Sequence, residues 1–261
     1  MSFGFTILGS GSAGNAAVIH APEGDLLLDA GFSAKELCRR LKIRGIDPAG
    51  IRAVLLTHEH DDHVSGCRVF AEQLDIPVYL SASVSRYFDL KKEKIGKRHL
   101  ISPGFAFELL GMRIEPFMVP HDVETLGYVF HFDTHRLAFA TDFGSVNMLV
   151  LQKLRGCQAL VIESNYEPEL LRNSARPLHL KRRILGKQGH LSNEVALELM
   201  EEVLTGETRI LVFAHLSREC NDAELLEQKT KERLAKLKRN DILFRIACQG
   251  ESLETIMIFN Q

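Results

Sequence analysis

Residues 58–63 read His-Glu-His-Asp-Asp-His, and few folds can place such a run directly behind a buried strand. The preceding segment, Ile51 to Thr57, carries the apolar core Ala53-Val54-Leu55-Leu56 and reads as a strand covered on both faces. The chain must therefore pass from an apolar interior straight into three imidazoles and several carboxylates. Burying such groups is costly unless each finds a strong partner. A solvated polar turn accounts for one histidine, but poorly for three within six residues. Neutral imidazole with carboxylate is the ligand set that suits Zn²⁺ and, with more oxygen, Mn²⁺. His58 and His60 lie two apart, so in an extended loop they point the same way. His63 should point elsewhere, so one loop can serve two adjacent ions if other segments complete each shell.

The rest of the pattern frames this loop with strands and helices. Strands are expected over Phe3 to Leu8, Ala16 to His20 and Leu26 to Leu28, with a Gly-rich turn from Gly9 to Asn15. Ser33 reads as the N-cap of a helix through Leu41. A helix through 65–74 and a strand from Pro77 to Leu80 follow the histidine loop. Further strands are expected at 105–109, 112–119, 126–132 and 136–140, then a helix at 145–154 and a strand from Ala159 to Glu163. Helices at 192–204 and 222–237 flank a strand at 208–214, and strands Ile242 to Ile246 and Leu253 to Ile258 close the chain. Antiparallel clusters followed by strand–helix units, twice over, predict an α/β protein with two sheets face to face and helices outside. No linker or repeat interrupts the 261 residues, so they are expected to form a single domain.

Composition narrows the context. The net charge is -2, so nucleic-acid binding would need a local basic patch and not a global polycation. Five cysteines, odd in number and never in a CxxC pair, argue against a disulfide framework. With no secretory signal pattern and no apolar run of membrane-spanning length, a cytoplasmic protein without membrane contact is expected.

The spacing His58-x-His60-x-Asp62-His63 resembles the HxHxDH signature of the metallo-β-lactamase fold superfamily, hydrolases built as a four-layer αββα sandwich. The resemblance covers essentially the whole chain. It implies that Asp29 in Leu-Leu-Leu-Asp-Ala-Gly supports the metal loop by fixing an imidazole tautomer. It further implies two divalent ions. One would be held by His58, His60 and His121, the other by Asp62, His63 and His215, with Asp142 bridging. Ligands of this kind admit Zn²⁺, Mn²⁺ or Fe. Two ions about 3.5–4 Å apart activate a water and clamp the attacking and leaving oxygens of a displacement. Asp62 would orient that water as well as ligate.

Three features lean toward phosphodiesters as substrates. Glu163 in Leu-Val-Ile-Glu-Ser-Asn and His190 in Gly-His-Leu-Ser-Asn resemble the pair of the tRNase Z branch, in which the carboxylate orients the histidine as general acid toward the leaving oxygen. Ser217-Arg218 follows His215 and offers a hydroxyl and a guanidinium to phosphate. Residues 170–193 carry Arg172, Arg176, Lys181, Arg182, Arg183 and Lys187 without an acidic residue, a strip suited to a phosphate backbone. Another basic run lies at Lys91 to Arg98, interrupted only by Glu93.

The turn Gly9 to Asn15 and the segments around His190 and His215 are similar to the YycJ/WalJ group of compact nucleases. That likeness implies exonucleolytic processing of nucleic acid, DNA in preference to RNA, with Ser12 and Asn15 as further candidate phosphate contacts through the first turn. The 72 residues between Asp142 and His215 leave no room for the large inserted domain of RNase J. Two other classes stay open on sequence: a small-molecule thioesterase or lactonase of the same fold, and a metal-stabilised scaffold with no activity.

Overall fold

The computed structural model describes residues 2–260. The first half runs β1 (Ser2–Gly9), β2 (Ala16–Ala21), β3 (Gly24–Leu28), α1 (Ala34–Ile43), β4 (Ile51–Leu55), α2 (Asp61–Val64), α3 (Cys67–Leu74), β5 (Val78–Leu80), α4 (Ala82–Leu90) and β6 (Arg98–Leu100). The second runs β7 (Phe107–Leu109), β8 (Met112–Val119), β9 (Thr125–Phe132), β10 (His135–Ala140), α5 (Met148–Leu154), β11 (Ala159–Glu163), α6 (Pro168–Asn173), α7 (Leu178–Leu185), α8 (Asn193–Val203), β12 (Ile210–Ala214), α9 (Ala223–Lys236) and β13 (Leu243–Ile246). The last strand, β14 (Ile256–Asn260), returns to the first sheet.

The sheets have seven strands each, ordered β14-β1-β2-β3-β4-β5-β6 and β13-β12-β11-β10-β9-β8-β7. In the first, the antiparallel block β1-β2-β3 passes into the parallel block β3-β4-β5-β6. In the second, antiparallel β7-β8-β9-β10 passes into parallel β10-β11-β12-β13. A parallel pair needs a crossover, and here each crossover carries at least one helix, which has to lie outside its sheet.

Alternation along the strands then makes three apolar layers. Inward residues of both sheets, including Phe3, Phe5, Ile7, Tyr128, Phe130, Val161 and Val212, share one core. The opposite faces of β1 to β5 pack Leu8, Val18, Leu27 and Val54 against Leu37 and Leu41 of α1 and Phe70 of α3. On the far side, Leu160, Ile162, Leu211 and Phe213 pack against Val150 and Leu154 of α5 and Leu197 and Met200 of α8. The result is the expected αββα sandwich. No helix among the described residues is long and apolar enough to cross a membrane.

Several elements depart from the sequence expectation. The helix expected at 65–74 is α3, from Cys67, and a further short helix, α2, lies inside the histidine loop. His60 is still extended at φ -64° and ψ 144°, whereas Asp62 and His63 stand on the helical turn. Helices α4, α6 and α7 and the short strand β6 were not anticipated. The pattern is too thin to show them, because α4 buries only Val84 and Phe88, α6 only Leu171 and α7 only Ile184. The basic segment after residue 170 is therefore folded into helices and is not an open strip. At the N-terminus of α5, Asn147 accepts from Val150 N at 2.9 Å, so the helix starts later than 145. The strand expected from Leu253 begins instead at Ile256, while Leu253 N donates to Ile7 O at 2.8 Å.

One close approach fixes the histidine loop. A Cβ at Gly31 would run into the carbonyl of Asp62. Gly206 has nothing within 4 Å of its own hypothetical Cβ. Gly31→Ala is expected to destabilise the protein by about 1–3 kcal/mol through overpacking and to lower divalent-ion uptake with it. Gly206→Ala should melt like the parent. Thermal melts and metal analysis of the two variants check this, and an unshifted Gly31→Ala would refute the constraint.

Candidate active site

The cluster is assembled at one edge of the sandwich, beyond the carboxyl ends of parallel strands, where side chains from successive strands converge. Asp29 follows β3, His58 to His63 follow β4, His121 follows β8, Asp142 follows β10, Glu163 ends β11 and His215 follows β12. Three of these residues adopt left-handed backbone: Asp29 at φ 58°, Asp142 at φ 61° and His215 at φ 59°. That conformation, uncommon outside glycine, turns each side chain back over the sheet edge.

The ligand atoms of His58, His60 and His121 lie within 4.8 Å of one another, and so do those of Asp62, His63 and His215. A third group of the same size, His58, His63 and Asp142, joins the two. Within them His58 Nε2 stands 3.0 Å from His60 Nδ1, and Asp142 Oδ2 stands 3.3 Å from His63 Nε2. Asp62 Oδ2 is 3.6 Å from both His63 Nε2 and His215 Nε2. His121 Nε2, His215 Nε2 and Asp142 Oδ2 are buried with no hydrogen-bond partner. Orphaned atoms of that kind are costly unless something binds them. All three belong to the groups just described, and this donor set fits divalent metal ions.

Apart from His60, the opposite edge of each ligand ring carries a hydrogen bond. His63 Nδ1 meets Asp29 Oδ2 at 2.8 Å, and Asp29 is itself fixed by Thr57 N at 2.8 Å. Thr57 Oγ1 also reaches His58 Nδ1 at 3.0 Å. His121 Nδ1 meets Gly189 O at 3.0 Å. Glu163, fully buried, holds both His190 Nδ1 and His215 Nδ1 at 2.8 Å through Oε1. Its Oε2 accepts from Phe143 N at 3.2 Å and Leu191 N at 2.9 Å. Such contacts fix ring orientation and direct the other nitrogen toward an ion.

Electrostatics divide the rings. Burial pushes His58, His60 and His121 below the ordinary imidazole range, with neighbouring imidazoles adding to the effect. Burial opposes the charged form of His63 as well, but Asp142, Asp29 and Asp62 outweigh it and hold its pKa up at about 9. His215 is raised in the same way, by Asp142, Asp62 and Glu163 against burial. Asp62 and Glu163 are held below the usual carboxylate range: burial works against this, and the His63 and His215 charges, or those of His190 and His215, prevail.

The cluster floors a cleft of about 310 Å³ whose walls include Ser12, Asn165, Arg176, Leu180, Arg183 and Ile184. Of the residues expected to meet phosphate, Ser12 is there. Asn15 is not a wall residue. It is buried, and its Nδ2 donates to Asp62 Oδ2 at 3.2 Å and stands 3.0 Å from His63 Nε2. The Gly-rich turn thus braces the ligands, since Ser10 Oγ also accepts from His215 N at 2.8 Å. Ser217 is buried beneath the rim, accepting from Cys220 N at 3.2 Å. Arg218 does not reach the cleft; it lines a separate groove with Asn221, Gln249 and Glu251. The chain turns after His215, so sequence adjacency placed Arg218 wrongly and Arg176 takes the position beside Ser217. Asn165, which donates to His215 O at 2.8 Å, and Asp122, with Oδ1 3.2 Å from His121 Nε2 and 3.5 Å from His60 Nε2, were not singled out from sequence. For Asp122, the one sequence signal was its place next to His121.

A two-sheet α/β sandwich with an all-nitrogen-and-oxygen ligand cluster at the strand ends defines a metal-binding protein of the metallo-hydrolase kind. The chain belongs to the β-lactamase superfamily: residues 25–216 match the family model described as Beta-lactamase superfamily domain. It is 35% identical over 238 residues to a Bacillus anthracis protein named Exodeoxyribonuclease YycJ, covering 89% of each chain. It is 33% identical over 242 residues to Exodeoxyribonuclease WalJ of Streptococcus pneumoniae, covering 90% of this chain and 89% of that one. Among solved structures, the metallo-β-lactamase fold protein YhfI from Bacillus subtilis superposes with a TM-score of 0.74 at 16% identity, over 97% of this chain and 99% of that one.

The two classes of imidazole give the ion-free protein a stability maximum near pH 6.5, the ordinary imidazole value. Below it the unfolded chain protonates His58, His60 and His121 while the folded chain does not, so stability falls as pH drops. Above it His63 and His215 stay protonated only in the folded state, and that contribution is lost as pH rises through about 9 for His63. Melting temperatures in chelator from mildly acidic to alkaline pH are expected to trace this peak. Ion uptake must displace the same protons, so affinity should strengthen over the alkaline limb. A melting temperature that climbs steadily to pH 9 would contradict the assignment.

Proposed function

We propose that this protein is a DNA exonuclease whose whole length forms one hydrolase domain. It is a metal-dependent hydrolase acting on phosphodiesters. The observation that carries the nuclease reading is the Glu163–His190 pair, 2.8 Å apart, beside the ligand cluster in the cleft. The names of the two curated relatives support DNA over RNA. In this reading His58, His60 and His121 hold one ion, Asp62, His63 and His215 hold the other, and Asp142 touches both groups. Bound divalent ions supply Lewis-acid activation of water and neutralise phosphate charge.

The protein's own groups do the rest. His190 has Nδ1 committed to Glu163, which leaves Nε2 as the nitrogen that can give a proton to the leaving alkoxide. The buried Glu163 carboxylate fixes the orientation of the ring for that donation. Asp62 has one oxygen among the ligand atoms, held by Asn15, and orients the attacking water from the same position. A thiolate leaves without a proton, so a thioesterase gains little from His190. This is why the pair favours a phosphodiester over the thioesterase alternative.

Purified protein with Mn²⁺ or Zn²⁺ is expected to release mononucleotides from labelled DNA, faster than from RNA, and to stop when EDTA is added. Turnover of small thioesters or lactones with no nucleic-acid cleavage would sink the reading. His190→Ala should lower kcat by about 10²–10⁴-fold with ion content retained. Glu163→Gln should lower both, because Glu163 also carries His215. Equal ion loss in the two variants would remove the proton-donor role.

A further inference from the structure

The mechanism does not use two arginines in the cleft wall, Arg176, just before α7, and Arg183, in its last turn. Arg183 gives Nε and Nη2 to Asp122 Oδ2 at 2.6 Å. The other oxygen of that carboxylate lies 3.2 Å from His121 Nε2 and 3.5 Å from His60 Nε2. Arg183 is thus tied, one carboxylate away, to the group His58, His60 and His121. Arg176 gives Nε to Glu219 Oε2 at 2.8 Å and Nη2 to Ser217 Oγ at 3.4 Å, next to His215 of the other group. Each contact uses one edge of the guanidinium and leaves Nη1 without a bond to it. Both carboxylate pairs are partly exposed, and such pairs are weak, so they orient the arginines without sequestering them. Leu180 and Ile184 of α7 fill the wall between.

Resting on the nuclease reading, we infer that Arg176 and Arg183 form a two-point clamp for the phosphates on either side of the scissile one, the outer of them the terminal phosphate of the strand. The planar guanidinium matches phosphate, and its orientation by a carboxylate reduces the ordering cost of each contact. Each arginine is tied to a different ligand group, so a strand gripped at both points presents its middle phosphate to the ions and to His190. The clamp makes this site selective for a polynucleotide strand over an isolated phosphodiester. It also gives α7, with so little apolar burial of its own, a reason to fold against the cleft.

The test compares the parent, Arg176→Gln, Arg183→Gln, the corresponding Lys variants and Arg172→Gln, an exposed arginine of the same segment paired to Glu169. Binding of a labelled, cleavage-resistant phosphorothioate hexathymidylate phosphorylated at both ends is followed by anisotropy against salt. The ratio of kcat/KM for the end-phosphorylated hexathymidylate to that for the dinucleoside monophosphate is measured alongside. Each Gln variant should lower the log–log salt slope by about 0.7 and the ratio by about tenfold. The Lys variants should restore the slope but only part of the ratio, and Arg172→Gln should leave both as in the parent. Parental slope and ratio in the Gln variants, or an equal fall in Arg172→Gln, overturns the clamp. Arginine-dependent binding without cleavage of any nucleic acid would leave the clamp standing and remove the nuclease reading; cleavage with no arginine dependence would do the reverse.

Discussion

Glu163 is a carboxylate with no solvent contact, and three segments of the chain end on its two oxygens. The backbone amides of Asp142 and Phe143 reach it from the end of β10, Leu191 N and His190 from the entry to α8, and His215 from the end of β12. A buried charge survives only when its hydrogen-bonding capacity is met. Deleting any one of these donors therefore exposes the others to the desolvation cost of an unmatched ion. The second half of the cluster is held as a unit for that reason. Asp29 does the equivalent for the first sheet, with Thr57 N and Oγ1 and His63 Nδ1 converging on it. Two buried carboxylates, one per sheet, thus position imidazoles that meet in the space between.

That arrangement also decides how protons and cations compete. His58, His60 and His121 are kept neutral by burial and by one another. His63 and His215 are surrounded by Asp29, Asp62, Asp142 and Glu163, and in the ion-free protein they carry protons that answer those charges. A divalent cation replaces the protons with a charge at the centre of the same carboxylates. Positive charge therefore faces the carboxylates in either state, and neither leaves a carboxylate buried alone.

What the sequence made legible follows from the range of each interaction. The paired sheets, the outer helices and the strand ends carrying Asp29, His121, Asp142, Glu163 and His215 could be read because strand periodicity and residue type are local properties. The bracing roles of Ser10 and Asn15 could not, since Asn15 meets Asp62 47 positions away and Ser10 meets His215 205 positions away. The same holds for Glu163, readable as a partner of His190 but not as the anchor of His215. Arg218 was misplaced because adjacency to His215 says nothing about which way the chain turns after it. Helices α4, α6 and α7 escaped notice because one or two buried side chains leave no periodic signal.

The left-handed residues show how the sheet edge and the site are coupled. A strand that simply continued past Leu28, Thr141 or Ala214 would send its next side chain to one face of the sheet, into an apolar layer. At Asp29, Asp142 and His215 the backbone instead turns to positive φ. Aspartate and histidine tolerate this region better than most residues, but it remains a conformation the surroundings must enforce. Enforcement is visible at each point: Asp29 N bonds to Leu55 O at 2.9 Å, Asp142 N to Glu163 Oε1 at 3.3 Å and His215 N to Ser10 Oγ at 2.8 Å. Two of these bonds come from the same carboxylate and Gly-rich turn that orient the ligands themselves. Glycine would relieve the backbone at any of the three positions and remove the group the turn exists to present. The strain at these strand ends is therefore part of how the fold converts a core packed for stability into a site open to ions and substrate.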